Sequence, residues 1–305
     1  MHLLFLFLDG VGLGPDDPDT NPLAAAEMPA LHALLGGKKL VRMTAPYVGP
    51  QATLLALDAT LGVDGLPQSA TGQAVLVTGR NVPAEIGEHF GPKPNSAVAG
   101  ILQTDNLFKT LREAGRTAAL INAYPPRYFE GIDSGRRIYS SIPMAVTSGG
   151  FELKTEADLY AGNGMSVDFT GHSWREHLGY ADSPVQDPAE SGRLLAKIAR
   201  QTDFAFFEYW ISDYVGHHQD MPQALEMLAN FDRVLEGLLD AWDPETGLIL
   251  LTSDHGNLED LSTRRHTSNQ VPGLIIGAPE LRRDFTTGLH DLTGIVPAVL
   301  RFLGL

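Results

Sequence analysis

The stretch Leu248-Ile-Leu-Leu-Thr-Ser-Asp-His-Gly-Asn257 passes from an apolar run directly into a polar turn. An uninterrupted apolar run of this length is typical of a strand that is buried on both faces. Asp254 and His255 follow where such a strand would end. Functional side chains of α/β proteins collect at the carboxyl ends of their strands, so this stretch predicts both the fold class and the position of a site.

The same arrangement occurs twice more along the chain. Residues 3–8 form an apolar run that ends in Asp9-Gly10, and residues 204–209 precede Asp213-Tyr-Val-Gly-His217. Amphipathic helical patterns separate these runs, which predicts an α/β fold with a mostly parallel sheet covered by helices on both faces. The predicted strands are residues 3–8, 117–122, 204–209, 248–252 and 271–276, and the predicted helices are residues 25–35, 106–114, 190–200, 224–241 and 293–303.

This alternation fails between about residues 125 and 184, where glycines are frequent and apolar residues are isolated. We interpret residues 125–185 as an inserted cap in a discontinuous core of residues 1–124 and 186–305. The alternative is a long irregular surface excursion, but structureless segments of that length are uncommon in compact domains.

Composition narrows the class of protein. The net charge of −15 argues against nonspecific binding to nucleic acid or to an anionic membrane. The absence of cysteine excludes thiolate metal sites and thiol nucleophiles, and agrees with a reducing compartment. We read residues 3–8 as a strand and not as a signal peptide, because no basic leader precedes them. The expectation is a soluble, cytoplasmic protein whose oligomeric state the sequence does not indicate.

Acidic and imidazole side chains at several strand ends indicate a metal site. Each has an ordinary explanation by itself, since Asp9 could cap a turn and an Asp-His pair could be a satisfied core pair. Together, three carboxylates and three imidazoles would be costly to desolvate without partners, and two divalent ions would provide them. Mn²⁺ or Zn²⁺ suits mixed oxygen and nitrogen ligands, with Mg²⁺ as an alternative. The candidate ligands are Asp9, Asp213, His217 (or the adjacent His218), Asp254, His255 and His266.

Two metals can clamp the oxygens of a phosphate ester during displacement, so a small phosphorylated metabolite is the expected substrate. The best candidate nucleophile lies in Pro67-Gln-Ser-Ala-Thr-Gly-Gln73. Ser69 or Thr71 could lie at a helix N-terminus, which favours phosphate, although either hydroxyl could simply cap that helix.

The ordered motifs resemble the alkaline phosphatase superfamily, especially its cofactor-independent phosphoglycerate mutase and phosphopentomutase branch. The matching segments are Leu8-Asp-Gly-Val-Gly12, Gln68-Ser-Ala-Thr-Gly72 with Thr78-Gly-Arg80, Asp213-Tyr-Val-Gly-His217, Ser253-Asp-His-Gly-Asn257, His266-Thr-Ser-Asn-Gln-Val-Pro272 and His290-Asp-Leu-Thr293. The resemblance implies an alkaline phosphatase-like core in which one metal is held by Asp9, Asp254, His255 and the nucleophile. It assigns the other metal to Asp213, His217 and His266, and it favours Ser69 over Thr71 as nucleophile and metal ligand.

The resemblance also implies phosphomutase-like phosphoryl transfer through a phosphoserine, with a phosphatase or phosphodiesterase as the alternative. A noncatalytic metal-binding protein would leave the nucleophile unexplained. The chain departs from the mutases at Gln68-Ser-Ala-Thr-Gly-Gln73, which lacks their glutamate and final histidine, and it lacks their arginine-rich substrate motif. The candidate substrate-binding residues are Arg80, Arg127, Arg136, Arg137 and Arg175.

Overall fold

The computed structural model describes residues 1–305. Its strands are β1 His2–Leu8, β2 Tyr47–Val48, β3 Ala52–Leu57, β4 Ala118–Leu120, β5 Ala123–Tyr124, β6 Lys154–Thr155, β7 Phe204–Tyr209, β8 Gly247–Thr252 and β9 Val271–Ile276. Seven of them form one sheet in the order β2-β3-β9-β8-β1-β7-β4, and β5 pairs with β6 separately.

Helices cover both faces of this sheet. They are α1 Pro22–Ala25, α2 Pro29–Leu34, α3 Ser69–Thr78, α4 Val82–Ile86, α5 Ser96–Thr104, α6 Leu107–Glu113, α7 Pro126–Asp133, α8 Ser141–Ser148, α9 Glu156–Tyr160, α10 His172–Glu176, α11 Pro188–Ala199, α12 Ile211–His218, α13 Met221–Ala241, α14 Pro279–Thr286 and α15 Ile295–Phe302, with 3₁₀ turns at Arg42–Thr44 and Leu292–Gly294.

Strand β1 shows why its sequence is apolar without alternation. Leu4 and Leu6 point into a core of 39 buried residues on one face, where α2, α11 and α13 pack. Phe5 and Phe7 point into a second core of 37 buried residues, where α3, α5, α8 and α15 pack. Because the two cores are nearly equal in size, a central strand needs apolar side chains on both faces. The predicted α/β fold with helices on both faces is therefore confirmed.

The sheet is mixed, which refines the expectation of a mostly parallel one. Strands β4, β7, β1 and β8 are parallel to one another, but β9 pairs antiparallel with both β8 and β3. The continuous apolar sequence of β9 indicates that the strand is buried on both faces, but it does not indicate the direction of the strand. Direction depends on the path of residues 253–270, which return to the edge of the sheet where β8 ended.

Two local elements differ from the sequence expectations. The helix predicted over residues 25–35 is shorter than expected: α1 ends at Ala25 and α2 begins only at Pro29, because proline suits the first turn of a helix and restricts Met28 before it. Strand β3 was not predicted from the sequence, although it pairs with β9 over six residues. The other predicted strands and helices are present, with ends displaced by a few residues at most.

Much of segment 125–185, the predicted cap, packs against the main core. Ile142 and Val146 of α8 belong to the same buried core as β1. Phe169 stacks on Phe207 of β7 with ring centroids 4.6 Å apart. Only a small cluster around Leu159 and Trp174 is separate from the two main cores. The segment therefore shares part of its packing with the core, and its assignment as a cap stays a prediction.

No helix in the structure combines the length and apolar character required to cross a membrane.

Candidate metal centre

Four chain segments bring acidic and imidazole side chains to one edge of the sheet. Asp9 follows β1, and the Asp254-His255 pair follows β8. Asp213 lies on α12, which begins just after β7. His266 precedes β9, and because β9 is antiparallel to β8 its first residue lies at the edge where β8 ends. The direction of β9 therefore explains how a histidine before a strand meets residues that follow strands.

Asp213, His217 and His266 form the first ligand group, in which each contributes an atom within 4.8 Å of the others. Asp213 and His217 lie one turn apart on α12, with Oδ2 and Nε2 3.3 Å apart. The Nε2 atoms of His217 and His266 are also 3.3 Å apart. Their Nδ1 atoms lie 2.9 Å from the Arg264 carbonyl and 2.8 Å from the Pro67 carbonyl, respectively.

These carbonyl contacts determine the imidazole tautomers. A carbonyl only accepts hydrogen bonds, so each Nδ1 must carry the proton and donate it. When both rings are neutral, as metal binding requires, the Nε2 atoms of His217 and His266 face each other with lone pairs and no proton between them. Such a pair beside the Asp213 carboxylate is stabilised by a cation, and backbone-anchored Nδ1–H groups commonly orient metal-binding histidines in this way. The donor set therefore fits a divalent metal.

Asp9, Asp213 and His255 form a second group, so Asp213 lies between the two groups. His255 Nε2 is 3.3 Å from Asp9 Oδ1 and 3.6 Å from Asp254 Oδ2. Both carboxylate oxygens are buried and have no hydrogen-bond partner. Unpaired buried oxygens are costly, and a bound cation would compensate for this cost.

The charges of this cluster perturb its acids strongly. Burial, followed by the charges of Asp254 and Asp213, raises the pKa of Asp9 well above its ordinary value. Burial and the charge of Asp213 raise the pKa of Asp254 to about 7. Burial opposes ionisation of Asp213 too, but its hydrogen bond with His217 and nearby positive charge lower its pKa to about 2. Closely spaced carboxylates that resist simultaneous ionisation are the expected state of a metal site without its cations.

The imidazoles respond to the same surroundings. Burial lowers the pKa of His255, and burial together with the proximity of His255 lowers the pKa of His266. Both rings are therefore held in the neutral form, which is the form that binds metals. The hydrogen bond with Asp213 raises the pKa of the more exposed His217.

Ser69 is the first residue of α3 and is adjacent to this cluster. Its Oγ lies 3.1 Å from His255 Nε2. Thr71 has different surroundings: its hydroxyl lies 3.1 Å from the Gln68 carbonyl, and it accepts a hydrogen bond of 3.1 Å from the Phe90 backbone N–H. The structure thus brings Ser69 to the ligand groups, while Thr71 ties α3 to the segment around Phe90.

Two further residues contact the cluster and a third is affected by its charge, and none of the three was among the candidates from the sequence. Gln73, where the mutase motif has histidine, donates a hydrogen bond of 3.2 Å to Asp9. Asn257 donates one of 2.7 Å to Asp213. Glu208 is buried within β7, and burial with the charge of Asp254 raises its pKa to about 7. Glu208 could have been identified from the sequence by one signal, which is the presence of a glutamate within the apolar run of a predicted strand.

The structure does not bring the candidate arginines into the cluster. Arg80 follows the far end of α3, whose 10 residues span about 15 Å, and it pairs with Glu85. Its assignment to the substrate site stays a prediction. The other four side chains are exposed: Arg136 bonds Ser134, Arg137 lies over the Tyr128 ring, Arg175 bonds the Ser183 carbonyl, and Arg127 lies on α7. His218 packs against the Tyr214 ring, with ring centroids 4.1 Å apart, and belongs to neither ligand group.

Comparisons with known proteins agree with this arrangement. The model of the Metalloenzyme superfamily matches residues 180–305, which include every candidate ligand except Asp9 and Ser69. A 2,3-bisphosphoglycerate-independent phosphoglycerate mutase of Methylobacillus flagellatus is 29% identical over 117 residues, 36% of this chain and 22% of that protein. The mutase of the same name from Halobacterium salinarum is 31% identical over 170 residues, 50% of this chain and 33% of that protein. The matches thus cover a third of these relatives or less.

Solved structures extend the likeness in fold to the whole chain. The PH0037 protein of Pyrococcus horikoshii superposes with a TM-score of 0.58 at 16% identity, covering 99% of this chain and 96% of that one. The alkaline phosphatase of the Antarctic bacterium TAB5 gives a TM-score of 0.51 at 12% identity, covering 99% and 97%. The chain resembles the alkaline phosphatase superfamily and its cofactor-independent phosphoglycerate mutase branch, which confirms the resemblance in its motifs. The Metalloenzyme model and the mutase relatives agree with the expectation of a metal-dependent enzyme.

Proposed function

We propose that this chain transfers a phosphoryl group of a small phosphate ester through Ser69, in the manner of a phosphomutase. The observation that carries the proposal is the position of the Ser69 hydroxyl, 3.1 Å from His255 and beside unpaired oxygens of Asp9 and Asp254. A hydroxyl in that place is suited to nucleophilic attack once its proton is lost, whereas a purely structural serine would need none of these neighbours.

Two divalent ions are proposed as the cofactors. Asp9, Ser69, Asp254 and His255 would hold one, while Asp213, His217 and His266 would hold the other, as the motif resemblance implies. The lone-pair contact between the two imidazoles and the unpaired carboxylate oxygens support this assignment. When bound, divalent ions lower the pKa of a coordinated hydroxyl and attract phosphate oxygens. Mn²⁺ and Zn²⁺ suit the mixed ligands better than Mg²⁺ does.

The chain's own residues then account for the covalent step. Ser69 Oγ loses its proton and forms a bond to phosphorus, while the bond between phosphorus and the ester oxygen breaks. The leaving alcohol takes up a proton, and Ser69 carries the phosphoryl group. Its location at the first residue of α3 supports this role, because backbone N–H groups at a helix N-terminus stabilise phosphate oxygens.

The second step distinguishes a mutase from a phosphatase. In a mutase the phosphoryl group returns to another hydroxyl of the same substrate, whereas in a phosphatase it passes to water. Hydrolysis is the second candidate function because the site is partly open to solvent. The His217 side chain is 40% exposed, and nearby Trp210 and Tyr214 are exposed as well.

The decisive experiment compares Ser69→Ala with the wild-type protein loaded with Mn²⁺ and supplied with a panel of phosphate esters. Turnover should fall by roughly 10³–10⁶-fold, as expected on loss of a covalent nucleophile. The wild-type protein, quenched during turnover, should carry phosphate on Ser69 by mass spectrometry. Phosphorus NMR of the products separates an isomerised ester from free phosphate. Full activity in Ser69→Ala, or phosphate on Thr71, would contradict the proposal.

A further inference from the structure

Glu259 is a buried carboxylate outside the ligand groups, and it accepts hydrogen bonds from three separate loops. Its Oε2 accepts from the backbone N–H groups of Gly12 at 2.9 Å and Asn257 at 2.8 Å. Its Oε1 accepts from the Thr267 hydroxyl and, at 2.9 Å, from the Asn269 side chain. All four partners are donors, so both oxygens serve as acceptors.

Each loop that donates to Glu259 also carries a candidate ligand. Gly12 lies three residues after Asp9, Asn257 two residues after His255, and Thr267 one residue after His266. The fourth ligand segment is reached indirectly, because the Asn257 side chain donates to Asp213 at 2.7 Å. One carboxylate thereby connects all four segments that build the candidate site.

Two glycines make this close approach sterically feasible. A Cβ atom at Gly12 or at Gly256 would collide with the Glu259 carboxylate. The backbone therefore surrounds the carboxylate closely, and neither loop can shift without breaking one of its hydrogen bonds. Buried carboxylates with several donors also hold their position well, because an unpaired donor in this environment is costly.

We propose that Glu259 is a positioning residue that sets the distances between the metal ligands, an inference that rests on the proposed metal site. It touches neither substrate nor metal, and acts by fixing the loops of Asp9, His255 and His266 relative to one another. Groups that orient metal ligands in this way typically contribute about 10–100-fold to metal affinity.

The test is a calorimetric titration of metal-free full-length protein with MnCl₂. Glu259→Gln preserves the shape of the side chain but places an NH₂ group against two donors. The variant should bind Mn²⁺ about 10–100-fold more weakly than the wild type. The melting temperature, measured in the presence of a chelator, reports the stability of the variant separately from its metal binding.

Asp232 provides the matched control. It is also buried, and its oxygens accept the backbone N–H groups of Ala30 at 3.0 Å and Leu31 at 2.9 Å, at the start of α2. Asp232→Asn should lower the melting temperature in chelator but leave Mn²⁺ affinity within about twofold of the wild type. A purely structural Glu259 would give the two variants the same behaviour.

The outcomes separate the two proposals. Normal Mn²⁺ affinity in Glu259→Gln, or an equal loss in Asp232→Asn, would overturn the positioning role alone. A wild-type protein that binds no Mn²⁺ would overturn the metal site and the positioning role together. If Glu259→Gln does not fold, Thr267→Val decides, since it removes a single donor: Mn²⁺ binding weakened about threefold or more supports the role, and unchanged binding overturns it.

Discussion

Ser69 and Thr71 are separated by one residue on α3, yet their hydroxyl groups have different neighbours. Ser69 faces His255, whereas Thr71 is bonded to backbone groups of Gln68 and Phe90. Sequence left both as candidate nucleophiles, because either hydroxyl at a helix start could cap the helix or attack a phosphate. The two side chains leave α3 in different directions, and this difference distinguishes them. Which direction faces the ligand cluster depends on the segments that pack against α3, so the sequence alone does not indicate it.

Thr71→Ala should therefore affect stability more than chemistry. Removing the hydroxyl leaves the partly buried Phe90 N–H without its acceptor, which should cost about 1 kcal/mol of unfolding free energy. Turnover should fall far less than in Ser69→Ala. Urea denaturation measures the stability, with Thr71→Ser as the control that retains the hydroxyl. A Thr71→Ala protein as stable as wild type but inactive would reverse the roles of the two residues.

Glu208 should make the metal-free protein less stable as pH rises. Its pKa is raised from 4.5 to about 7 by burial and by Asp254. Between these values the folded state retains a proton that the unfolded state has released, so raising the pH favours unfolding. Glu208→Gln removes this effect, and should therefore stabilise the chelated protein more at pH 8 than at pH 5.5.

Urea denaturation of both proteins in chelator at the two pH values measures this difference. Comparing variant with wild type cancels the opposite contribution of the neutral histidines, whose lowered pKa values favour folding as pH rises. A stabilisation that is larger at pH 5.5 than at pH 8 would show that Glu208 is ionised in the folded state throughout this range.

At the scale of elements, α11 and α13 approach each other closely at two glycines. A Cβ at Gly237 would collide with the backbone of Ala189, and one at Gly192 with the backbone of Val234. Gly237→Ala should therefore destabilise the fold by about 1–3 kcal/mol through overpacking, although alanine favours helices. Thermal unfolding in chelator measures the loss.

Gly100 is the matched control for this substitution. It lies on the exposed side of α5, and nothing lies within 4 Å of an added Cβ. Gly100→Ala should stabilise the protein by up to about 1 kcal/mol, because only the helix preference changes. If both alanine variants shifted stability in the same direction, the close contact between α11 and α13 would not be the cause.

The strands illustrate how far sequence could predict the elements. β7 and β9 were predicted with their observed bounds, because both are continuous apolar runs between polar turns. The direction of β9 could not be read from such a run. Strand β3 escaped prediction because an apolar run of six residues does not by itself distinguish a strand from a segment of buried helix.

At the scale of the whole molecule, metal binding should couple to global stability. The candidate ligands come from four distant segments, so the unfolded chain does not present the site, and ions that bind only the folded state stabilise it. Mn²⁺ should raise the melting temperature in a concentration-dependent way, and elemental analysis of the reconstituted protein should approach two equivalents.

Asp213→Ala provides the corresponding variant, because Asp213 lies between both ligand groups. It should lose most of the Mn²⁺-dependent rise in melting temperature. Stoichiometric binding of a single ion, unchanged by this substitution, would rule out a site with two metals.

Distance along the chain also explains what sequence could and could not predict about the site. Asp9, Asp254 and His255 were candidates because each follows an apolar run, which is a local pattern. Glu259 was not, because its partners at Gly12 and Asn269 are remote in sequence and nothing nearby indicates them. Local patterns identify residues at strand ends, whereas the hydrogen bonds that connect loops arise only from the assembled fold.

Strand β1 has a consequence for biosynthesis. It pairs only with β7 and β8, through residues 204–209 and 247–252, so about 200 residues must be translated before either native neighbour exists. At about 5–20 residues per second, this delay is roughly 10–40 s. During this delay β1, an apolar strand that is buried in the folded protein, lacks both of its native partners. Aggregation of the nascent chain through this apolar segment is therefore the hazard that the order of the strands creates during synthesis.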